Sequence, residues 1–132
     1  MSFNKIASRL GISVGTAYNR VKNLEAAGVL KSYTVVLDPV KLGYGLTALI
    51  MIQVEGGHLT EVENEIAKIA NVVAVYDITG DYDAALVTKF KDRSGLSDFI
   101  KNLLAKPHVK RTVTNVALNV VKEEYQIRLN DV

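Results

Sequence analysis

The 132-residue chain contains no cysteine. That excludes a disulfide framework, a cysteine-ligated zinc finger and a thiol nucleophile. No apolar run approaches the ~20 residues of a membrane-spanning helix, and the first residues lack the charged-then-apolar pattern of a secretory signal, so the expected location is the cytoplasm. The chain is not poor in hydrophobic residues, which make up 48% of it. This excludes a disordered polyelectrolyte and allows a real core in one or two small domains. The net charge of +2 is low for a polyanion partner, but it is unevenly spread. Residues 1–41 hold six basic side chains against two acidic ones, net +4; the remaining residues hold ten against twelve, net −2. A basic DNA-contacting module joined to a neutral or acidic module of different purpose fits this asymmetry.

The basic part carries the first motif, NKIASRLGISVGTAYNRVKNLEAAG from Asn4 to Gly28. Ile6, Ala7 and Leu10 give a short helix one apolar face, Gly11-Ile12 permits a tight turn, and Ser13 is a good N-cap for a longer helix. On that helix Ala17, Val21 and Leu24 recur at helical spacing, and Gly28 is read as its C-terminal cap. Two helices joined by a short glycine-containing turn form a helix-turn-helix, whose second helix enters the DNA major groove. By position, Ser13, Gly15, Thr16 and Asn19 face base edges, and Arg20 and Lys22, with Arg9 and Lys31 as further candidates, face phosphates. Arg20 is also spaced to pair with Glu25, and the same residues fit the plain solvated face of an amphipathic helix. Val29 to Leu37 reads as a β segment stopped by Asp38-Pro39.

Residues 38–45 read as a connector, after which strands alternate with helices. Leu46 to Val54 is a strongly apolar strand, and a helix is expected from about Thr60, where Thr60 and Glu63 match a capping box. Val72 to Thr79 is a second strand, and Asp83 to Phe90 a third after the turn Gly80-Asp81-Tyr82, which favours antiparallel pairing. Ser94 is a good N-cap for a second helix, ended at Lys106-Pro107. The last strand runs from Val109 to about Lys122. This order over residues 46–132 is the ferredoxin-like βαββαβ arrangement. Both faces of the first strand are apolar, so the sheet face not covered by helices is expected to pack against a second copy of the chain.

His58 and His108 read as isolated loop-end histidines without a cluster at metal-ligand spacing, so no metal and no cofactor are expected. Glu61, Glu63 and Glu65 recur at two-residue spacing and do not converge on one point of a helix. No acid, base and nucleophile set indicates an enzyme.

Three stretches together resemble the Lrp/AsnC family, the leucine-responsive or feast/famine regulators: IASRLGISVGTAYNRVKNLEAAGVLKSYTVVLDPVKLG at residues 6–43, DITGDYDAALV at 77–87, and VKRTVTNVALNVVKEE at 109–124. The resemblance implies an α+β protein, a winged helix-turn-helix over residues 1–37 followed by a ferredoxin-like domain that binds a small effector, usually an amino acid. It also implies homodimers that assemble further, often to octamers. Family members have one more helix before the point where this sequence starts. By that comparison the helix-turn-helix is truncated, and Ile6, Leu10, Ala17 and Val21 lack a packing partner, at roughly 1.5–3 kcal/mol for each large apolar side chain left exposed.

Gly80-Asp81-Tyr82-Asp83 looks like the family's Gly-x-x-Asp effector motif. Gly80 frees the backbone to approach a ligand, turn N–H groups can receive a carboxylate, and either Asp83 or Asp81 can receive an ammonium. Thr112 and Thr114 are further hydroxyl candidates, while an ordinary hairpin turn explains the same loop. The expected function is a transcriptional regulator that binds double-stranded DNA and in which an amino acid shifts assembly by binding one state better than another. The alternative is a stand-alone amino-acid-sensing or oligomerisation module with a non-functional DNA-binding region.

Overall fold

The computed structural model describes residues 2–129. The chain divides into two compact units, one up to Leu37 and one from Asp38 onward.

The first unit holds α1 (Phe3–Leu10) and α2 (Val14–Ala26). Ser2 opens α1 by accepting the Lys5 N–H at 3.3 Å. Gly11 closes it at φ +66°, a left-handed conformation that costs glycine little. Ser13 caps α2, its Oγ accepting the Thr16 N–H at 3.1 Å. At the far end the cap residue is Ala27 and not Gly28; Gly28 follows it and donates its N–H to Glu25. The two helices touch through small buried residues, Ala7 and Ala17, and through an edge-to-face contact of Phe3 with Tyr18 at 5.3 Å. Leu10, Val14 and Leu24 remain exposed.

The expected strand over Val29 to Leu37 is absent. Its composition suits a strand, but a strand exists only as part of a ladder, and no segment among the described residues pairs with it. Apart from the half-buried Leu30, the side chains of this stretch stand in solvent, Val36 at 97% exposure.

The second unit is a four-stranded antiparallel sheet with two helices. Its elements are β1 (Leu46–Val54), α3 (Leu59–Ala67), β2 (Val72–Asp77), β3 (Ala84–Phe90), α4 (Arg93–Leu104) and β4 (Val109–Val116). The strand order is β2-β3-β1-β4, the ferredoxin-like topology. Along β1, Ala48, Ile50, Ile52 and Val54 point to one face, where they meet Val62 and Ile66 of α3, Phe99 and Leu103 of α4, and Leu86 and Phe90 of β3. Thr88 lies fully buried in the same sheet and donates its hydroxyl to the Ala48 carbonyl at 2.8 Å, so it leaves no polar group unpaired.

Several boundaries differ from the expected ones. Helix α3 begins at Leu59 because the turn from His58 N–H to Glu55 O precedes Thr60; Thr60 then lies inside the first turn, and its capping box does not form. Helix α4 is capped by Asp92, whose carboxylate accepts the Gly95 N–H at 2.8 Å, so Ser94 is already helical. Strand β4 stops at Val116, six residues short of Lys122. After the Ala117 N–H bonds to Thr47, the chain leaves the ladder, and Leu118 and Val121 are almost fully exposed. The departing segment is tied back by Glu123, which pairs with the buried ammonium of Lys89 at 2.7 Å; that ammonium also donates to the Thr47 hydroxyl.

Leu86 is fully buried between sheet and helices. Leu86→Ala is expected to lower unfolding free energy by about 2–5 kcal/mol in urea melts, through lost burial and the cavity left behind. A change below about 1 kcal/mol would mean that this face is not the core.

Candidate functional site

The outer surface of α2 is built from its N-terminus. Ser13 Oγ donates to Thr16 Oγ1 at 2.8 Å and accepts the Thr16 N–H, so both hydroxyls serve the cap before they serve any ligand. Gly15, Asn19 and Arg20 are exposed, and nothing lies within 4 Å of a side chain built at Gly15. The expected pairing of Arg20 with Glu25 does not form. Glu25 instead pairs with Lys22 at 3.7 Å and accepts the Tyr33 hydroxyl at 2.8 Å, which holds that phenol above its usual pKa. Lys22 also lies 5.4 Å over the Tyr18 ring. Arg20 is therefore the less engaged cation of the two, with no ion-pair partner among the described residues.

The second candidate site is the loop between β2 and β3. Gly80 adopts φ +106°, a conformation unfavourable for any residue with a Cβ. Asp83 anchors the loop to β1 through both backbone and side chain: its N–H donates to Ile52 O at 2.8 Å, and its Oδ2 accepts the Val54 N–H at 2.8 Å. The carbonyl of Asp81 accepts from the Gln53 amide at 3.1 Å, and the Arg111 guanidinium lies 5.8 Å over the Tyr82 ring. The structure thus gathers Gly80, Asp81, Tyr82 and Asp83 with two residues that sequence reasoning missed, Gln53 and Arg111. Arg111 stands opposite Gln53 across the β1–β4 ladder, a register that no local pattern reveals. Thr112 and Thr114 do not join them: they pair with Ile52 and Ile50 and so share the helix-covered face, while Arg111 alternates to the other.

Beneath the loop lies an acidic group. Glu63 of α3 has its pKa raised to about 7, first by burial, then by the neighbouring carboxylate of Asp77 and the charge of Asp83. Its Oε2 is buried without a partner among the described residues. Protonated, Glu63 can donate to a neighbouring carboxylate; ionised, it adds a third negative charge.

His58 and His108 are not isolated. Their rings stack at a centroid distance of 3.5 Å and within 4° of parallel, and Glu55 Oε2 lies 3.3 Å from His108 Nδ1. Fifty residues separate the two histidines, so only the fold brings them together.

Two family descriptions match the chain: the Lrp/AsnC ligand binding domain over residues 47–127, and a winged helix-turn-helix DNA-binding domain over residues 1–31. An uncharacterised HTH-type transcriptional regulator of Pyrococcus furiosus is 43% identical over 96% of this chain and 86% of its own length. The HTH-type transcriptional regulator FL11 of Pyrococcus horikoshii is 32% identical over 93% of this chain and 82% of its own. Among solved structures, a Neisseria meningitidis transcriptional regulator in complex with L-methionine has a TM-score of 0.90 at 24% identity, covering 99% of this chain and 87% of that one. The AsnC protein of E. coli has a TM-score of 0.88 at 19% identity, covering 94% and 85%. At these identities the structural likenesses establish the fold.

The acidic group sets a pH dependence. The folded state holds the Glu63 proton up to about pH 7, whereas the unfolded chain releases it near the ordinary glutamate value of 4.5. Between those values the unfolded state binds fewer protons, so this group lowers stability as pH rises through the window. Glu63→Gln is expected to raise the melting temperature at pH 8 and to leave it nearly unchanged at pH 4.5, a gain of roughly 1 kcal/mol after solvent screening. Thermal melts of both proteins across this range check it, and a gain equal at both pH values would refute it.

Proposed function

Because this chain belongs to the Lrp/AsnC family of transcriptional regulators, we propose that α2 reads DNA from its N-terminal half and that the second unit binds an amino acid at the Gly80–Asp83 loop and joins copies of the chain. Gly15 and Asn19 approach base edges, Thr16 and Ser13 orient the helix end, and Arg20 with Lys22 contacts phosphates. The observation that carries the DNA reading is the exposed, basic face of a Ser13-capped α2 within the segment of the chain, residues 1–41, that holds the net positive charge. No helix among the described residues is long and apolar enough to cross a membrane.

For the effector, the loop offers complementary charges on a fixed frame. Arg111 beside Tyr82 suits the carboxylate of an amino acid, and Asp81 with the free oxygen of Asp83 suits its ammonium. The L-methionine held by the Neisseria regulator and by the feast or famine regulatory protein of M. tuberculosis favours an effector with an apolar side chain. Leu49 on the sheet face away from the helices and the extended 33–37 segment are exposed apolar surface, which supports assembly of at least two copies.

Two measurements test this reading. A duplex selected from a random library is titrated by fluorescence anisotropy at several salt concentrations. Arg20→Ala is expected to weaken binding about tenfold and to reduce the salt slope by about one, while Asn19→Ala costs about 1–3 kcal/mol at one base pair. Unchanged affinity and slope in both variants would remove α2 from the interface. Separately, the twenty amino acids are titrated calorimetrically against protein whose assembly is followed by sedimentation velocity. At least one is expected to bind saturably to a dimer or larger species, and Arg111→Ala to weaken it tenfold or more. A monomer that binds none of them would sink the effector and assembly readings together.

A further inference from the structure

We propose that Glu55, His58 and His108 form a site for a divalent transition-metal ion of the zinc class, tying the β1–α3 loop to the start of β4. One ligand atom from each of these three residues lies within 4.8 Å of those of the other two. The backbone already holds the donors in place: Glu55 N–H donates to His108 O at 2.9 Å, and His58 N–H donates to Glu55 O at 3.2 Å. This cross-link sits where the β1–β4 register shifts between Gln53 and Val54, at the end of the ladder where Val54 faces Val109.

The distances suit a small ion. Two ligands bound at 2.0–2.1 Å in a tetrahedron stand about 3.4 Å apart, and Glu55 Oε2 and His108 Nδ1 are already 3.3 Å apart. The rings of His58 and His108 lie face to face, 3.5 Å apart, and imidazole nitrogen is the commonest protein ligand for such ions. Parallel rings do not aim their lone pairs at one point, so binding requires one ring to turn, and His58, with 39% of its side chain exposed, has the room. Glu61 Oε2 lies 3.4 Å from His58 Nδ1, in position to hold that nitrogen's proton and leave Nε2 as the donor.

The donor set names the ion's class. Two imidazoles and one carboxylate without a thiolate favour zinc, cobalt or nickel over magnesium and calcium, which prefer oxygen-only shells. With three protein donors at a loop surface, the fourth position is left to water. The site shares no residue with the Gly80–Asp83 loop, and zinc binding is read out without effector or DNA.

The test uses the untagged full chain, titrated calorimetrically with zinc chloride and, in parallel, with magnesium chloride. Saturable binding of one zinc ion per chain and none of magnesium is expected. Cobalt chloride should produce visible absorption bands of a nitrogen- and oxygen-ligated ion, and zinc should raise the melting temperature. His58→Ala and His108→Ala should each weaken zinc binding at least tenfold, abolish the cobalt bands and remove the thermal shift. If His108→Ala fails to fold by circular dichroism, His58→Ala decides alone. No saturable zinc binding, equal binding of magnesium, or zinc binding untouched by His58→Ala would each overturn the proposal.

Discussion

The larger unit depends on one ladder, the antiparallel pairing of β1 with β3 at the centre of the sheet. These are the two strands bonded on both edges, and their alternate residues supply most of the buried apolar surface. Each fully buried Ile or Leu contributes roughly 1.5–3 kcal/mol, and Ile50, Ile52 and Leu86 stand together in this pair of strands under Ile66 and Leu103. The same ladder continues past its last apolar pair into Asp83, whose N–H still bonds to Ile52. The Gly80–Asp83 loop is thus an extension of the core, and its shape is inherited from the ladder.

Charge is distributed around this frame with a clear division. On the face away from the helices, Lys89 is buried and answered by Glu123 and Thr47, so its charge is compensated. At the loop end, Glu63, Asp77 and Asp83 crowd three carboxyl groups together, and Glu63 responds by keeping its proton. A buried cation with its own anion is a structural tie, whereas crowded carboxyls with Arg111 close to the adjoining loop form a place where an added cationic group is favourable. An amino acid brings such a group together with a carboxylate.

The element order and the topology of the second unit were legible in the sequence, because short apolar runs such as Leu46–Val54 and helical spacing such as Leu96, Phe99, Ile100 and Leu103 record burial directly. Ser13 was also legible as a cap. Thr60 and Ser94 were misread because a competing turn at His58 and a competing carboxylate at Asp92 each lie two residues earlier, and local rules do not rank such neighbours. The segment Val29–Leu37 has strand composition, but whether a strand forms depends on a partner elsewhere. Within the candidate sites, the Gly80–Asp83 loop announced itself through local turn chemistry. Arg111, Gln53, Glu63 and the His58–His108 pair did not, since each reaches its place through pairings or packing between positions far apart in the chain, from Glu63 with Asp77 to Gln53 with Arg111. The register of β4 likewise set Thr112 and Thr114 on the opposite face from Arg111, a distinction of one residue.

The order of strands in the sheet has a consequence for how the chain leaves the ribosome. Strand β4 is last in sequence but pairs with β1, the first, so β1 waits with one edge unpaired until Val116 has been synthesised. The hairpin of β2 and β3 closes locally, and β3 can cover only the other edge. During that interval Ala48 to Val54 presents open backbone groups flanked by Ile50 and Ile52, a template for a neighbouring nascent chain. Non-local closure of this kind is the slow step of such topologies. Chains truncated before Val109 would be aggregation-prone species, and the pulse-labelled exchange of β1 amides in ribosome-bound chains of increasing length would report when that edge becomes protected.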